Sequence, residues 1–139
     1  MKHEPRKIRE EAYDWFEEAK ADFRRAERAL NDEDYSLSCY MSQQAIEKTF
    51  KALMIGLKHI RPPHVHDLVM LYQYVKNILK LPGEIVSKLP EVSQYYVTTR
   101  YPNAGLRRPS ISFSKLQAEN ALEVAQIVIK EAEKIFTTQ

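Results

Sequence analysis

Apolar residues recur along most of this chain at alternating steps of three and four, the spacing that places them on one face of an α-helix. The pattern predicts a first helix from Arg9 to Asn31, and its apolar stripe consists of Ala12, Phe16, Ala19, Phe23, Ala26 and Leu30. A second segment, from Tyr35 to Leu57, carries apolar residues on two opposite faces. We therefore expect the second helix to lie between other helices.

Proline, glycine and capping residues predict where the second and third helices end and begin. Gly56 and the Pro62-Pro63 pair should stop the second helix, because proline lacks a backbone donor and biases the residue before it away from helix. Asp67 is a typical N-cap, and it precedes a third helix whose apolar face continues to Leu79.

The last third of the chain predicts a short helix, a loop and a long helix. Pro82-Gly83 opens a short fourth helix, which Pro90 should kink or break. Residues 101–113 form the longest irregular stretch. Ser114 and Gln117 have the spacing of a capping box, which predicts the start of a final helix that runs almost to the terminus.

These elements predict an all-α fold, an antiparallel up-and-down bundle of four to five helices. The sequence has no hairpin dipeptide, internal repeat or sustained alternation that would favour strands. A chain of 139 residues with 44% hydrophobic content fits one domain spanning residues 1–139. We expect residues 1–8 to be flexible.

Charge and cysteine content narrow the class of protein. The 21 Lys and Arg against 19 Asp and Glu give a net charge of +2, which supplies no general attraction for nucleic acid or a membrane surface. The lone Cys39 has no partner for an internal disulfide, and the sequence has no signal peptide and no apolar run that could span a bilayer. We expect a soluble cytoplasmic protein that does not engage a membrane.

Polar residues on the second predicted helix interrupt its apolar faces, and two interpretations of them stand. In the first, Gln43 is a core amide bonded to a neighbouring backbone or tyrosine, and Glu47 forms a solvated pair with Lys51. In the second, Tyr40, Gln43 and Glu47 form the floor of a polar groove, and the loop that carries Arg100 folds over it.

Arg100 lies at the end of a predicted helical segment, in a turn that a following proline constrains. Its guanidinium offers a fork of donors that suits phosphate. Three tyrosines nearby offer flat faces on which a base could stack, namely Tyr95, Tyr96 and Tyr101. Alternatively, Arg100 pairs with Glu47 and only holds the loop in place.

Histidines near the second predicted helix raise the question of a metal site. His59, His64 and His66 lie close to Asp67, but the prolines constrain this loop and Asp67 is needed as a helix cap. We predict no metal and no cofactor. His66 should pack near the cap, and His59 and His64 should be exposed.

With these elements in place, the chain resembles the HEPN family, the higher eukaryotes and prokaryotes nucleotide-binding domain. The resemblance covers nearly the whole chain. The residues that carry it are the helix Ala19–Leu30, the helix Cys39–Leu53 with its Tyr-Met-Ser-Gln-Gln-Ala-Ile-Glu-Lys run, the turn Pro63–Leu68, and Arg100-Tyr101-Pro102-Asn103.

The resemblance implies a helical bundle that forms a homodimer, with a groove near the dimer axis. It also implies frequent pairing with a small nucleotidyltransferase in two-component, toxin–antitoxin-like systems. Several relatives are metal-independent ribonucleases that use an arginine and a histidine four to six residues after it, contributed by both protomers. In that chemistry the arginine would stabilise charge at the phosphate, and the histidine would move the 2′-hydroxyl proton.

This chain departs from the ribonuclease pattern at one position. Arg100 matches the arginine, but residues 101–106 contain no histidine. Arg61 and His66 have a similar spacing, but they lie in the turn after the second helix, and we treat that match as coincidence.

Three hypotheses follow. In the first, the chain is a non-catalytic dimeric module that binds a nucleotide or RNA phosphate, a nucleotidyltransferase, or both. Its ligand-binding residues are Tyr40, Gln43, Glu47, Arg100, Tyr101 and Asn103. In the second it is a metal-independent endoribonuclease that uses Arg100 with His66 as a displaced base. In the third the dimer is purely structural.

We expect the dimer interface to include Tyr95, Tyr96, Tyr101 and the outer face of the second helix.

Overall fold

The computed structural model of this protein describes residues 3–102 and 108–138, with side chains from Arg9 onwards. The helices, in chain order, are α1 (His3–Asn31), α2 (Tyr35–Leu53), a π-helical turn (Met54–Lys58), α3 (Leu68–Val75), α4 (Gly83–Val86), α5 (Leu89–Thr98), α6 (Pro109–Ser112) and α7 (Lys115–Thr137). Within these ranges there is no strand, and the all-α prediction is confirmed. None of these helices is long and apolar enough to cross a bilayer.

Helix α2 lies at the centre of the bundle. It packs mainly against α1 and α7, and also against α3 and α5. Ile46, Phe50 and Leu53 are fully buried on it. The prediction that α2 lies between other helices is therefore confirmed.

Two predicted caps form as the sequence indicated. The Asp67 side chain accepts hydrogen bonds from the backbone N–H groups of Val69 and Met70, at 2.9 and 3.2 Å, and so begins α3. At α7, Ser114 and Gln117 make the reciprocal pair of hydrogen bonds of a capping box.

The end of α2 differs from the prediction. The chain continues past Leu53 as a π-helical turn and leaves the helix at His59, in a left-handed conformation with φ of 55°. Gly56 lies inside that turn and does not stop the helix. A Cβ at Gly56 would lie 2.9 Å from the Cβ of Ala12, so glycine here permits the close approach of α1.

Other boundaries differ as well. Helix α1 begins at His3 and not at Arg9, and the flexibility of residues 1–8 stays a prediction. The predicted break at Pro90 is present but lies slightly earlier: α4 ends at Val86 and α5 begins at Leu89, so Pro90 lies in the first turn of α5, where its missing N–H leaves no intrahelical bond unmade. The predicted loop 101–113 contains a short helix, α6.

Candidate functional site

A buried carboxylate, that of Glu47 on α2, is the centre of the polar cluster. Glu47 is 4% exposed. A charged carboxylate in such a place needs partners, because burial without them costs several kcal/mol. Its partners come from α2 itself and from the segment before α3.

Lys51 supplies the opposite charge. Its Nζ donates to Glu47 Oε2 at 2.9 Å, and both side chains are more than 90% buried. The expectation of a solvated pair was therefore wrong. Trp15 of α1 lies beside this pair, and the Lys51 ammonium is 5.9 Å from the centre of the indole ring.

Gln43 connects Glu47 to the segment before α3. Its Nε2 donates to Glu47 Oε1 at 3.2 Å and to the backbone carbonyl of His66 at 3.0 Å. Its Oε1 accepts from Gln44 Nε2 at 2.8 Å. Gln43 is 0% exposed, as the interpretation of a core amide expected, so direct contact with a ligand would first require its exposure.

His66 joins this buried cluster to the surface. Its Nδ1 lies 3.1 Å from both carboxylate oxygens of Glu47, while 43% of its side chain is exposed. The imidazole stacks on the ring of Tyr96, with centroids 3.6 Å apart and planes inclined by 13°. A carboxylate at Nδ1 fixes the orientation of the imidazole and leaves Nε2 for another partner.

Arg100 lies on the same aromatic cluster. The guanidinium carbon is 4.6 Å from the ring centre of Tyr96, 5.2 Å from that of Tyr101 and 5.8 Å from that of Tyr40, which are cation–π distances. Arg100 also donates to the Tyr101 hydroxyl at 3.2 Å. Among the described residues it forms no ion pair, so the alternative in which Arg100 pairs with Glu47 is not what the structure has.

The tyrosines and the arginine influence one another electrostatically. The Tyr96 hydroxyl, followed by those of Tyr101 and Tyr40, raises the pKa of the Arg100 guanidinium, which stays charged at any physiological pH. Partial burial raises the pKa of the Tyr40 hydroxyl, against the opposing effect of Arg100. Tyr40 and Tyr96 lie with ring centres 6.2 Å apart.

The remaining predicted residues lie elsewhere. Tyr95 is buried in the core, where its hydroxyl donates to Glu91 Oε2 at 2.7 Å and its ring meets Phe113 edge-on. It therefore offers neither a stacking face nor an interface, contrary to prediction. Asn103 lies outside the described residues. His59 and His64 are exposed, and no three ligating side chains gather into a metal site within residues 3–102 and 108–138.

Sequence reasoning missed two features of the cluster. It placed Lys51 in solvent, although a helical spacing of four beside a buried Glu47 is a signal that both could be buried together. It also did not identify Tyr96 as the residue that connects His66 with Arg100, two groups that the sequence analysis considered separately.

The fold and the site together define this protein as an all-helical bundle. A buried polar cluster lies on its central helix, and an exposed arginine follows α5. The chain belongs to the HEPN family, since the model of the HEPN domain matches residues 12–135. A comparison with curated proteins gives no match.

Solved structures that are similar to this chain include two crystal structures. One is TT1696 from Thermus thermophilus, with 30% identity and a TM-score of 0.78 over 88% of this chain and 96% of that one. The other is ST0689, described as an archaeal HEPN homologue, with 22% identity and a TM-score of 0.71 over 88% of this chain and 95% of that one. Family membership supports a module related to nucleotides or RNA.

Proposed function

We propose that this chain is a non-catalytic module that binds a nucleotide or RNA through phosphate, and that Arg100 is the residue that holds the phosphate. The observation that carries the proposal is the exposed Arg100 guanidinium, which rests on three tyrosine rings and has no carboxylate partner among the described residues. Among the described residues, aromatic faces and not an acid orient this arginine, which leaves its charge available for an anionic ligand.

The surroundings of Arg100 suit a phosphate. A groove beside it is lined by the hydroxyl-bearing residues Ser36, Tyr40, Thr99 and Ser110. The Thr99 hydroxyl already donates to the backbone carbonyl of Tyr95, but the other three hydroxyls and the guanidinium can together donate several hydrogen bonds to phosphate oxygens, and the charge makes the guanidinium bonds stronger. Asp34 also borders the groove as the N-cap of α2, and its carboxylate opposes a phosphate on that side, so the phosphate must lie at the Arg100 end.

The proposal includes a homodimer and a protein partner. Tyr101 and Leu37 are exposed at 46% and 44%, and such apolar side chains suit an interface near the Arg100 groove. The family resemblance supports a small nucleotidyltransferase as partner, in a cytoplasmic, toxin–antitoxin-like system. Light scattering at micromolar concentration tests the dimer, and a monomer there would refute it.

A second candidate function is a metal-independent endoribonuclease with His66 as a displaced base. The contact of His66 Nδ1 with the buried Glu47 carboxylate favours it, because a carboxylate at one imidazole nitrogen is how many general bases are oriented. In this reaction His66 Nε2 would take the proton of the 2′-hydroxyl, and Arg100 would stabilise the charge that develops at phosphorus.

One experiment separates these functions. A labelled single-stranded RNA is incubated in EDTA with the parent protein, Arg100→Ala, His66→Ala and, as matched control, Arg24→Ala, which removes an exposed arginine from α1. Binding and cleavage are followed on native and denaturing gels. We expect binding without cleavage, weakened about tenfold or more by Arg100→Ala, as for the loss of a charge-assisted contact, less by His66→Ala, and not by Arg24→Ala.

The other outcomes are equally informative. Cleavage by the parent that His66→Ala abolishes would establish the ribonuclease. Equal, weak binding by all four proteins would refute the role of Arg100 and leave the structural dimer.

A further inference from the structure

We propose that the groove between α3 and α5 is a nucleobase subsite, in which a base stacks beside the His66–Tyr96 pair while its phosphate reaches Arg100. This inference rests on the proposed function and adds the part of the ligand that the groove recognises. The groove is lined by His66, Asp67, Val69, Ser93, Gln94 and Tyr96.

The first requirement of a base subsite is a flat platform. The outer face of the His66 ring provides one, because its other face stacks on Tyr96 at 3.6 Å and Arg100 lies over Tyr96. The platform is also rigid, because the His66 ring is tied to Glu47 and its backbone carbonyl accepts from the buried Gln43. A preformed platform loses little conformational entropy when a base stacks on it.

The second requirement is a set of groups for the edge of the base. Gln94 is exposed on α5, and its side-chain amide hydrogen-bonds to none of the described residues. An amide offers both a donor and an acceptor, which any base edge can meet. The Ser93 hydroxyl accepts from the Leu68 N–H at 2.9 Å and so keeps its own proton to donate.

The charged groups around the groove determine the orientation in which a nucleotide would bind. Asp67 borders the groove and is the N-cap of α3, so its carboxylate would repel a phosphate placed there. Arg100 lies on Tyr96, at the other side of the same ring cluster. A nucleotide therefore fits in one orientation, with its uncharged base in the groove and its anionic end at Arg100.

The test uses three small ligands and one labelled protein. Adenosine 5′-monophosphate, cytidine 5′-monophosphate and ribose 5-phosphate are titrated into the ¹³C,¹⁵N-labelled chain, with affinities measured by calorimetry and the His66 ring protons followed by NMR. We expect the base-bearing ligands to bind about tenfold tighter than ribose 5-phosphate, as for one stacked base. Only they should shift the His66 ring protons upfield, by the ring current of the stacked base.

Variants connect these effects to the groove. Gln94→Ala should weaken the two nucleotides about fivefold, as for one lost hydrogen bond, and leave ribose 5-phosphate unchanged. Gln126→Ala, which removes an exposed glutamine from α7, is the matched control and should change nothing. Arg100→Ala should weaken all three ligands.

Several results would overturn the subsite. If the three ligands bind equally and all depend on Arg100, phosphate binding stands and the base subsite is refuted. If nucleotides bind tighter but Gln94→Ala has no effect and His66 does not shift, the base lies elsewhere. If none of the ligands binds, the proposed function and the subsite fail together.

Discussion

Two buried carboxylates, Asp22 on α1 and Glu47 on α2, have different structural roles in this bundle. Asp22 is 1% exposed and Glu47 is 4% exposed. Asp22 accepts from Lys48 Nζ at 2.6 Å and from Arg25 Nη1 at 2.5 Å, so two full positive charges surround it. Glu47 has one cation, Lys51, and its other hydrogen bonds come from neutral amides and from His66.

The two carboxylates differ in the parts of the molecule to which their hydrogen-bond partners connect them. Lys48 and Glu47 are neighbours on α2, but Lys48 points to α1 and joins the two helices through Asp22. Glu47 instead fixes a histidine that stacks on Tyr96, and Tyr96 in turn lies under Arg100. Asp22 therefore belongs to the packing of α1 on α2, while Glu47 links that packing to the candidate site.

The largest effect is expected when the Glu47 charge is removed. Glu47→Gln leaves the ammonium of Lys51 buried without its counter-charge, and we expect the free energy of unfolding to fall by about 3 kcal/mol, the usual cost of breaking a buried pair. Urea denaturation followed by circular dichroism measures this. We also expect weaker ligand binding, because His66 loses the carboxylate that orients it.

A double variant separates these two consequences. Glu47→Gln with Lys51→Met removes the stranded charge, and we expect most of the stability to return while binding stays weak. Recovery of both stability and binding would show that Glu47 does not act through His66. Failure to recover stability would show that the loss does not come from Lys51.

A smaller effect is expected at the other carboxylate. Asp22→Asn should lower the free energy of unfolding by about 2 kcal/mol, less than at Glu47 because Lys48 and Arg25 can turn towards water when Asp22 loses its charge. Ligand affinity should not change. If binding weakened as much as in Glu47→Gln, the distinction between a packing carboxylate and a site carboxylate would be wrong.

The parts of the fold that the sequence predicts correctly are those with a local cause. The Ser114–Gln117 box and the Asp67 cap are each complete within a few residues, and both form. The π-helical turn at Gly56 is different, because it accompanies the close approach of Ala12 from another helix. Helical periodicity carries no information about such an approach, so a glycine that permits contact looks like a glycine that ends a helix.

The same limit applies to the site. Periodicity placed Gln43 and Glu47 on one side of α2, and their clustering is found as expected. It could not place His66 against Glu47, because the two residues are 19 positions apart in the sequence, with a proline-rich turn between them. The sequence does not predict the burial of Lys51 for the same reason, since Trp15, which lies 5.9 Å from its ammonium, comes from another helix.

Cys39 extends the comparison to a buried ionisable group without a charged partner, and here the expected effect is the smallest. Burial, with a contribution from Glu91, raises the pKa of the Cys39 thiol from its ordinary 9.0 to about 12. The folded chain therefore keeps this proton while the unfolded chain loses it above about pH 9, so stability should fall as pH rises from 9 towards 12. We expect the parent to lose about 1 kcal/mol more than Cys39→Ala between pH 8 and pH 10, measured by urea denaturation at each pH.

Both chains retain Tyr95, whose hydroxyl pKa is also raised by burial, so its contribution largely cancels in the difference. Parallel stability profiles for the two chains would mean that the thiolate is solvated in the folded state, and that this third buried group is not held neutral by its surroundings.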